Sequence, residues 1–131
     1  MEKYPADKQA LLQKAIMARS HAYAPYSGFK VGAALKGKSG NIYRGANVEN
    51  ASLGLTVCAE RSALFSAVSA GEKEFSAMAV VTDISPPAQP CGACLQVINE
   101  LAGDIPLLCF NLQEEQMLVF LSQLLPYPFS T

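Results

Sequence analysis

Two short stretches of this sequence carry side chains that could do chemistry together. Residues 57–61 read Val-Cys-Ala-Glu-Arg, and residues 89–94 read Gln-Pro-Cys-Gly-Ala-Cys. They supply three thiols and one carboxylate, from Cys58, Cys91, Cys94 and Glu60. Thiolates are favoured zinc ligands, and a carboxylate beside a metal ion can carry protons. We therefore interpret the two stretches as one zinc site, with Glu60 as its proton carrier.

The number of available ligands predicts an open site. Structural zinc sites use four protein ligands, whereas catalytic sites use three and leave one position for water. A fourth ligand would have to come from Cys109 or His21. Cys109 lies in an apolar run and is typical of an inert core thiol, and His21 is typical of a capping or surface residue. A closed zinc site and a redox C-x-x-C pair stay open as alternatives, but the redox pair leaves Cys58 and Glu60 unexplained.

Helix geometry predicts that this site lies at the ends of two helices. Cys58 and Glu60 are two residues apart and would point to different sides of a helix, so they converge on one ion only beyond its N-terminal end. Cys91 and Cys94 are three apart and share a face in the first turn of another helix. Helix N-termini lower the pKa of a thiol and so favour the thiolate. Three thiolates leave the site with a net negative charge, which Arg61 would balance.

The bulk properties of the chain narrow its class. Its 131 residues, half of them hydrophobic, predict a single domain over 1–131. A net charge of −1 argues against a nucleic-acid partner, which requires a basic surface. No apolar stretch is long enough to cross a membrane, and the polar N-terminus lacks a signal sequence, so we expect a cytoplasmic protein without a membrane partner. Four cysteines in such a protein favour metal binding over disulfides.

Hydrophobic periodicity predicts how these stretches are positioned. The predicted helices cover 7–22, 58–70, 91–101 and a short last helix at 123–125 that Ser122 caps. The predicted strands cover 29–36, 42–47, 77–82, 106–111 and 116–120. This order predicts an α/β fold, a three-layer α/β/α sandwich with one mixed five-stranded sheet. The first two strands would be antiparallel and the later βαβ units parallel.

On these motifs the sequence resembles the cytidine deaminase family, specifically its small free-nucleoside branch. Residues 58–61 match the family's C-A-E-R, and residues 90–94 match its P-C-G-x-C. Zinc deaminases commonly have histidine at the first of these positions, so Cys58 resembles the all-cysteine variant. The resemblance extends over most of the chain, through 25–34 (the approach and first strand), 47–51 (a ribose-binding segment) and 124–129 (a C-terminal motif).

The resemblance implies an enzyme of pyrimidine salvage. It would hydrolyse cytidine and deoxycytidine to uridine and deoxyuridine and release ammonia, with one Zn²⁺ per subunit. Zinc would activate the attacking water. Glu60 would take a proton from that water, protonate ring N3, and deliver a proton to the leaving amine.

The resemblance also implies a set of substrate-binding residues. Asn47 and Glu49 would bind the ribose hydroxyls, and Phe29 would pack near the base or sugar. Main-chain groups at Ala59 would contact the pyrimidine edge. Small members of the family are homotetramers, and Phe129 would stack on the base in a neighbouring subunit's site.

The sequence departs from the family pattern at two places. Leu95 stands where the family usually carries an arginine after its last cysteine, so one positive charge is missing. Residues 52–54 replace a stretch that commonly contains an aromatic residue. A related zinc deaminase acting on a modified or different amino-substituted nucleoside or base is therefore the alternative interpretation. A zinc-stabilised binding module is another, although it gives Glu60 no role.

Overall fold

A computed structural model of the chain describes residues 6–130. In this part of the chain the strands are β1 (Gly32–Gly37), β2 (Ile42–Ala46), β3 (Phe75–Thr82), β4 (Pro106–Asn111) and β5 (Gln116–Phe120). The helices are α1 (Ala6–Arg19), α2 (Ala59–Ser69), α3 (Gly92–Leu101) and α4 (Leu121–Leu124), with one 3₁₀ turn at Leu53–Leu55. The strands form one sheet in the order β2-β1-β3-β4-β5. The β3–β4 pair is parallel and the other pairs are antiparallel.

Helices cover both faces of the sheet, which confirms the predicted three-layer α/β/α sandwich. On one face, Leu11, Leu12 and Ala15 of α1 pack against small and branched side chains of the central strands. On the other face, α2 and α3 pack against a second core cluster that includes Leu35 and Met78. The strands β1, β3 and β4 are buried on both faces, and such strands have apolar runs without strict alternation. No helix within residues 6–130 has the length and apolar composition needed to span a bilayer.

Glycine allows α2 to approach the sheet closely. A Cβ atom built on Gly45 of β2 would collide with the main chain of Ala59 and Ala63 in α2. The absence of a side chain at Gly45 therefore brings the first turn of α2 directly onto the sheet. Since α2 begins with the C-A-E-R stretch, this contact fixes the position of Cys58 and Glu60 relative to the strands.

The structure differs from the sequence prediction mainly at element ends. The first helix ends at Arg19, and β1 begins at Gly32 rather than at Phe29. Residues 29 and 31 bond instead to the side chain of Asn47, with Phe29 O accepting from Nδ2 at 2.8 Å and Val31 N–H donating to Oδ1 at 2.9 Å. The main-chain N–H of Asn47 also donates to Val31 O at 3.3 Å, so one residue beyond β2 holds this segment in place of a neighbouring strand.

The prediction that Ser122 caps the last helix is wrong. The cap is Phe120, and Ser122 lies inside α4. The side chains of two other residues satisfy the free N–H groups at this end. The N–H of Phe120 donates to Gln123 Oε1 at 2.7 Å, and the N–H of Ser122 donates to Asp104 Oδ1 at 2.8 Å.

Candidate metal centre

The three predicted thiols lie at the N-terminal ends of α2 and α3. Cys58 is the N-cap residue of α2 and Cys91 is the N-cap residue of α3, both with extended backbone. Cys94 is in the first turn of α3 and is fully buried. Pro90 therefore lies directly before the N-cap residue of α3. Both helices direct their unpaired N–H groups toward the thiols.

The spacing of the thiols fits one zinc ion. All three Sγ atoms lie within 4.8 Å of one another, and the Sγ atoms of Cys58 and Cys91 are 3.9 Å apart. Sulfurs bound to one tetrahedral zinc at about 2.3 Å are separated by about 3.8 Å. A hydrogen bond from the Cys94 thiol, together with the Arg61 guanidinium, lowers the pKa of Cys58 to about 5. A thiol that ionises this readily is ready to bind metal.

Arg61 is the cation of this cluster. Its Nη2 donates to Cys58 Sγ at 3.4 Å, which places positive charge against a thiolate. Its Nε is buried and has no hydrogen-bond partner among the described residues. A buried N–H without a hydrogen-bond partner is costly. Because the Arg61 Nε lies beside the thiol cluster, its free N–H fits a site that holds more negative charge than one thiolate. Leu95 is buried in the apolar core, so residue 95 brings no charge to the cluster.

Glu60 is the buried carboxylate of the site. It lies in the first turn of α2 and is only 4 % exposed. Burial raises the pKa of Glu60 to about 7, and the neighbouring Cys58 thiolate adds to the shift. Burial favours the neutral acid over the carboxylate. A pKa near neutrality suits a group that must both accept and donate a proton.

A pocket open to solvent connects these groups to the surface. Four of its lining residues belong to the predicted site, besides the thiols of Cys58 and Cys91: Phe29, Asn47, Ala59 and Glu60. Six further lining residues were not predicted: Val31, Thr56, Val80, Thr82, Ala88 and Gln89. The position of Gln89 directly before Pro90 and Cys91 was the sequence signal for its presence here. The others line the pocket because the strands and loops that carry them meet there.

Asn47 and Glu49 occupy different positions relative to the pocket. Asn47 is buried and lines it. Glu49 is not among the lining residues, and its carboxylate accepts hydrogen bonds from Tyr26 and Ser27. The predicted strand over 42–47 ends at Ala46 in the structure, so both residues follow β2. Both side chains hold the segment that leads to Phe29.

The C-terminal aromatic residues project from the surface. Tyr127 is 93 % exposed and Phe129 is 75 % exposed. The main chain of Phe129 is nevertheless fixed, because its carbonyl accepts from Gln96 Nε2 at 2.9 Å and its N–H donates to Gln96 Oε1 at 3.1 Å. Gln96 belongs to α3, the helix that also carries Cys94. Phe129 does not line this chain's own pocket.

Neither alternative fourth ligand belongs to the thiol cluster of the described residues. Cys109 is fully buried in β4, and burial raises the pKa of its thiol to about 12. It therefore stays protonated and unreactive at neutral pH. His21 follows the end of α1 and is exposed. The cluster has three thiols, and two of them line a pocket together with the buried carboxylate of Glu60. This arrangement fits an open metal centre with an acid–base group.

Comparisons with known proteins define the family. A family model described as the cytidine and deoxycytidylate deaminase zinc-binding region matches residues 5–109. This match covers both stretches of the thiol cluster and most of the chain. The chain belongs to the cytidine and deoxycytidylate deaminase family.

Individual relatives are similar over nearly their whole length. The cytidine deaminase of Halalkalibacterium halodurans is 52 % identical over 125 residues, which covers 95 % of this chain and 95 % of that protein. The cytidine deaminase of Sporosarcina psychrophila is 46 % identical and covers 95 % of this chain and 92 % of its own length. The crystal structure of cytidine deaminase from Burkholderia pseudomallei superposes with a TM-score of 0.90 at 48 % identity, covering 92 % of this chain and 98 % of that one.

Proposed function

We propose that this protein hydrolyses cytidine and deoxycytidine to uridine and deoxyuridine with release of ammonia, as a step of pyrimidine salvage. The observation that carries this proposal is that the buried Glu60 lines one pocket together with two thiols of the three-thiol cluster. The relatives named cytidine deaminase, at 46 % and 52 % identity, supply the substrate class. The catalytic unit would be a single domain over residues 1–131.

One zinc ion per subunit fits the donor set, and Cys58, Cys91 and Cys94 would hold it. When bound, zinc acts as a Lewis acid that makes water a sufficient nucleophile at neutral pH. Three protein ligands leave one coordination position for the reaction. Arg61 would offset part of the negative charge of the thiolates through its bond to Cys58 Sγ.

Glu60 would move the protons of the reaction. Its pKa of about 7 lets it accept a proton from the water that attacks C4 and pass that proton to ring N3. The C4–O bond forms in this step. In the next step Glu60 takes the proton of the new C4 hydroxyl and delivers it to the amine, so that the C4–N bond breaks, ammonia leaves and the C4 carbonyl of uridine forms. The buried position of Glu60 keeps bulk water from competing for these protons.

The pocket walls would orient the nucleoside. The Phe29 ring would pack against the base or sugar, and main-chain groups at Ala59 would bind the pyrimidine edge. Asn47 and Glu49 would bind the ribose hydroxyls. Asn47 lines the pocket, and Glu49 bonds to the turn at Tyr26 and Ser27 that leads to Phe29.

We also propose a cytoplasmic homotetramer in which Phe129 reaches the pocket of a neighbouring subunit. An aromatic ring that is 75 % exposed on a fixed main chain favours a partner surface. Exposed Phe65 and Val68 on α2 are further apolar surface that an assembly would cover. Free cysteines at the described positions are compatible with a reducing compartment.

The proposal predicts that Glu60→Gln keeps zinc and loses turnover. The amide is nearly isosteric but cannot carry a proton, so kcat should fall by roughly 10²- to 10⁴-fold, the usual contribution of a general acid–base group. Cytidine loss is followed by absorbance, and zinc is measured on the same samples.

A chelator that removes zinc should abolish the wild-type activity, and added zinc should restore it. A panel of cytidine, deoxycytidine, cytosine, adenosine and guanine separates the proposed substrate from those of related zinc deaminases. A zinc-loaded protein that deaminates no pyrimidine nucleoside would overturn the proposed function. Near wild-type turnover by Glu60→Gln would overturn only the role of Glu60.

A further inference from the structure

The turn that precedes Phe29 is held by a carboxylate from another part of the chain. Glu49 Oε1 accepts the N–H groups of Tyr26 at 2.9 Å and Ser27 at 3.1 Å. Glu49 Oε2 accepts the hydroxyl of Ser27. These hydrogen bonds, with the Ser27 side chain as the largest cause, hold the pKa of Glu49 below its usual value. Glu49 is therefore a fixed anion at neutral pH.

The Ser27 hydroxyl also contacts the wall of the pocket. While it donates to Glu49, it accepts the N–H of Phe29 at 3.0 Å. The carbonyl of Phe29 accepts from Asn47 Nδ2 at 2.8 Å. Ser27 thus holds the main-chain N–H of Phe29 and Asn47 holds its carbonyl, while Phe29 lines the pocket. One hydroxyl joins Glu49 to the pocket wall.

The acceptor count of Glu49 leaves room for one more donor. Each carboxylate oxygen has about two acceptor sites. Oε1 uses both for main-chain N–H groups, whereas Oε2 uses one for Ser27. A sugar hydroxyl could therefore bond to Oε2 without displacing any contact. Its approach direction is set by the hydrogen bond that Ser27 already makes there.

We propose that Ser27 is a positioning residue for substrate binding: it fixes the sugar acceptor Glu49 and the pocket wall at Phe29 relative to each other without touching the substrate. The inference rests on the proposed function, because it uses Glu49 as the sugar acceptor. Loss of the hydroxyl frees the Glu49 side chain to rotate and leaves the Phe29 N–H unpaired. Both effects weaken binding of the nucleoside, whereas the thiols and Glu60 are unaffected.

The test compares Ser27→Ala with wild-type enzyme on cytidine, 2′-deoxycytidine and 3′-deoxycytidine. For cytidine, Ser27→Ala should raise KM about tenfold and leave kcat within about twofold, since an oriented bond to a charged group has been lost. The increase in KM should shrink to about twofold or less for the deoxy substrate that lacks the hydroxyl bound by Glu49, because only the effect at Phe29 then remains. In a Glu49→Gln background, Ser27→Ala should likewise raise KM by about twofold or less, because its larger effect acts through Glu49.

Two further variants separate positioning from general stability. Ser27→Thr keeps the hydroxyl and should restore KM to near the wild-type value. Ser39→Ala removes a similar hydroxyl, because Ser39 Oγ donates to Glu72 at 2.6 Å and accepts the N–H of Asn41 at 3.2 Å. Ser39 lies in the β1–β2 hairpin, at the end of β1 opposite to the pocket. Ser39→Ala should therefore lower thermal stability without changing KM.

The outcomes distinguish failure of the positioning role of Ser27 from failure of the proposed deaminase function. The inference is overturned if Ser27→Ala has a wild-type KM, if Ser27→Thr fails to restore it, or if Ser39→Ala raises KM equally. It is also overturned if kcat falls while KM stays constant. If wild-type enzyme with bound zinc turns over no cytidine and binds no uridine by calorimetry, the proposed function falls as well, and this result does not depend on any variant.

Discussion

The same arrangement of a serine and a glutamate occurs twice in this molecule, once beside the pocket and once far from it. In the Ser27 clamp, the hydroxyl and N–H of Ser27 donate to Glu49, and in the Ser39 clamp the same groups of Ser39 donate to Glu72. In both, the N–H two residues further along donates to the serine Oγ, at 3.0 Å and 3.2 Å. The local hydrogen bonds are therefore nearly the same.

The two clamps differ in what surrounds the carboxylate. The third donor to Glu72 is the hydroxyl of Tyr43, a partly buried residue of β2, and the Glu72 side chain lies against the main chain at Gly37. The third donor to Glu49 is the main-chain N–H of Tyr26, and the chain reaches the pocket three residues later at Phe29. The hydrogen-bonded motif alone therefore does not make a carboxylate functional. Its position in the fold decides whether its free acceptor site can bond to a ligand.

The largest expected difference between the two clamps is in how much Glu49 and Glu72 each contribute to activity. Glu49→Gln replaces one acceptor oxygen with a donor that faces N–H or O–H groups, so kcat/KM for cytidine should fall by about 100-fold. Glu72→Gln should change kcat/KM by less than about twofold and lower the melting temperature instead. Steady-state kinetics and thermal unfolding of both variants measure this. Equal losses of kcat/KM would contradict the separation of the two clamps.

A smaller difference between the two clamps is expected in the pH dependence of KM and of stability. Hydrogen bonds from the serines hold the pKa of both Glu49 and Glu72 below the usual value. Each carboxylate therefore contributes fully above its unfolded pKa, and the contribution is lost as the pH falls through the lower folded pKa. Ser27→Ala should let the pKa of Glu49 rise, so the acid-side increase in KM begins at a higher pH than in wild-type enzyme.

Ser39→Ala should leave that acid limb of KM unchanged and instead move acid unfolding to a higher pH, because its effect falls on Glu72. KM measured from pH 7 to pH 4, together with unfolding followed by circular dichroism, separates the two. A shift of the KM limb by Ser39→Ala, or none by Ser27→Ala, would contradict the assignment.

The smallest expected effect concerns the donor that distinguishes the Ser39 clamp. Tyr43→Phe keeps the ring in the core but removes the hydroxyl that donates to Glu72 at 2.8 Å. The loss of one hydrogen bond should lower the melting temperature by about 3 °C, with kcat and KM unchanged. Differential scanning calorimetry measures the shift. A change in KM would contradict this prediction, because it would mean that the β1–β2 hairpin affects substrate binding in the pocket.

Sequence periodicity predicted most of the fold because most elements are bounded by strong local signals. The strand over 106–111 was predicted with its observed bounds, since its apolar run follows the turn at Gly103. The start of β1 was missed because Phe29 and Val31 bond to a single residue, Asn47, mainly through its side chain, rather than to a strand. Periodicity cannot distinguish these two partners.

The candidate site divides in the same way. The C-A-E-R and C-x-x-C spacings place thiols at helix ends, so the cluster of Cys58, Cys91 and Cys94 was predictable from local geometry. The contacts of Glu49 were not predictable in this way, because β2 ends before Asn47 and the Glu49 carboxylate bonds to the turn at Tyr26 and Ser27. The lining residues Thr56 and Ala88 were missed because they come from loops whose approach depends on the whole fold.

The sequence by itself determined the chemistry of this protein, because residue types and their spacing fix which donors can meet at a helix end. Cys58, Glu60, Cys91 and Cys94 required only the rules of a helical turn. Only the tertiary structure decided which of two equivalent carboxylate clamps lies beside that chemistry. Ser27 and Ser39 make the same local bonds, and the packing of the sheet puts only Ser27 next to the pocket.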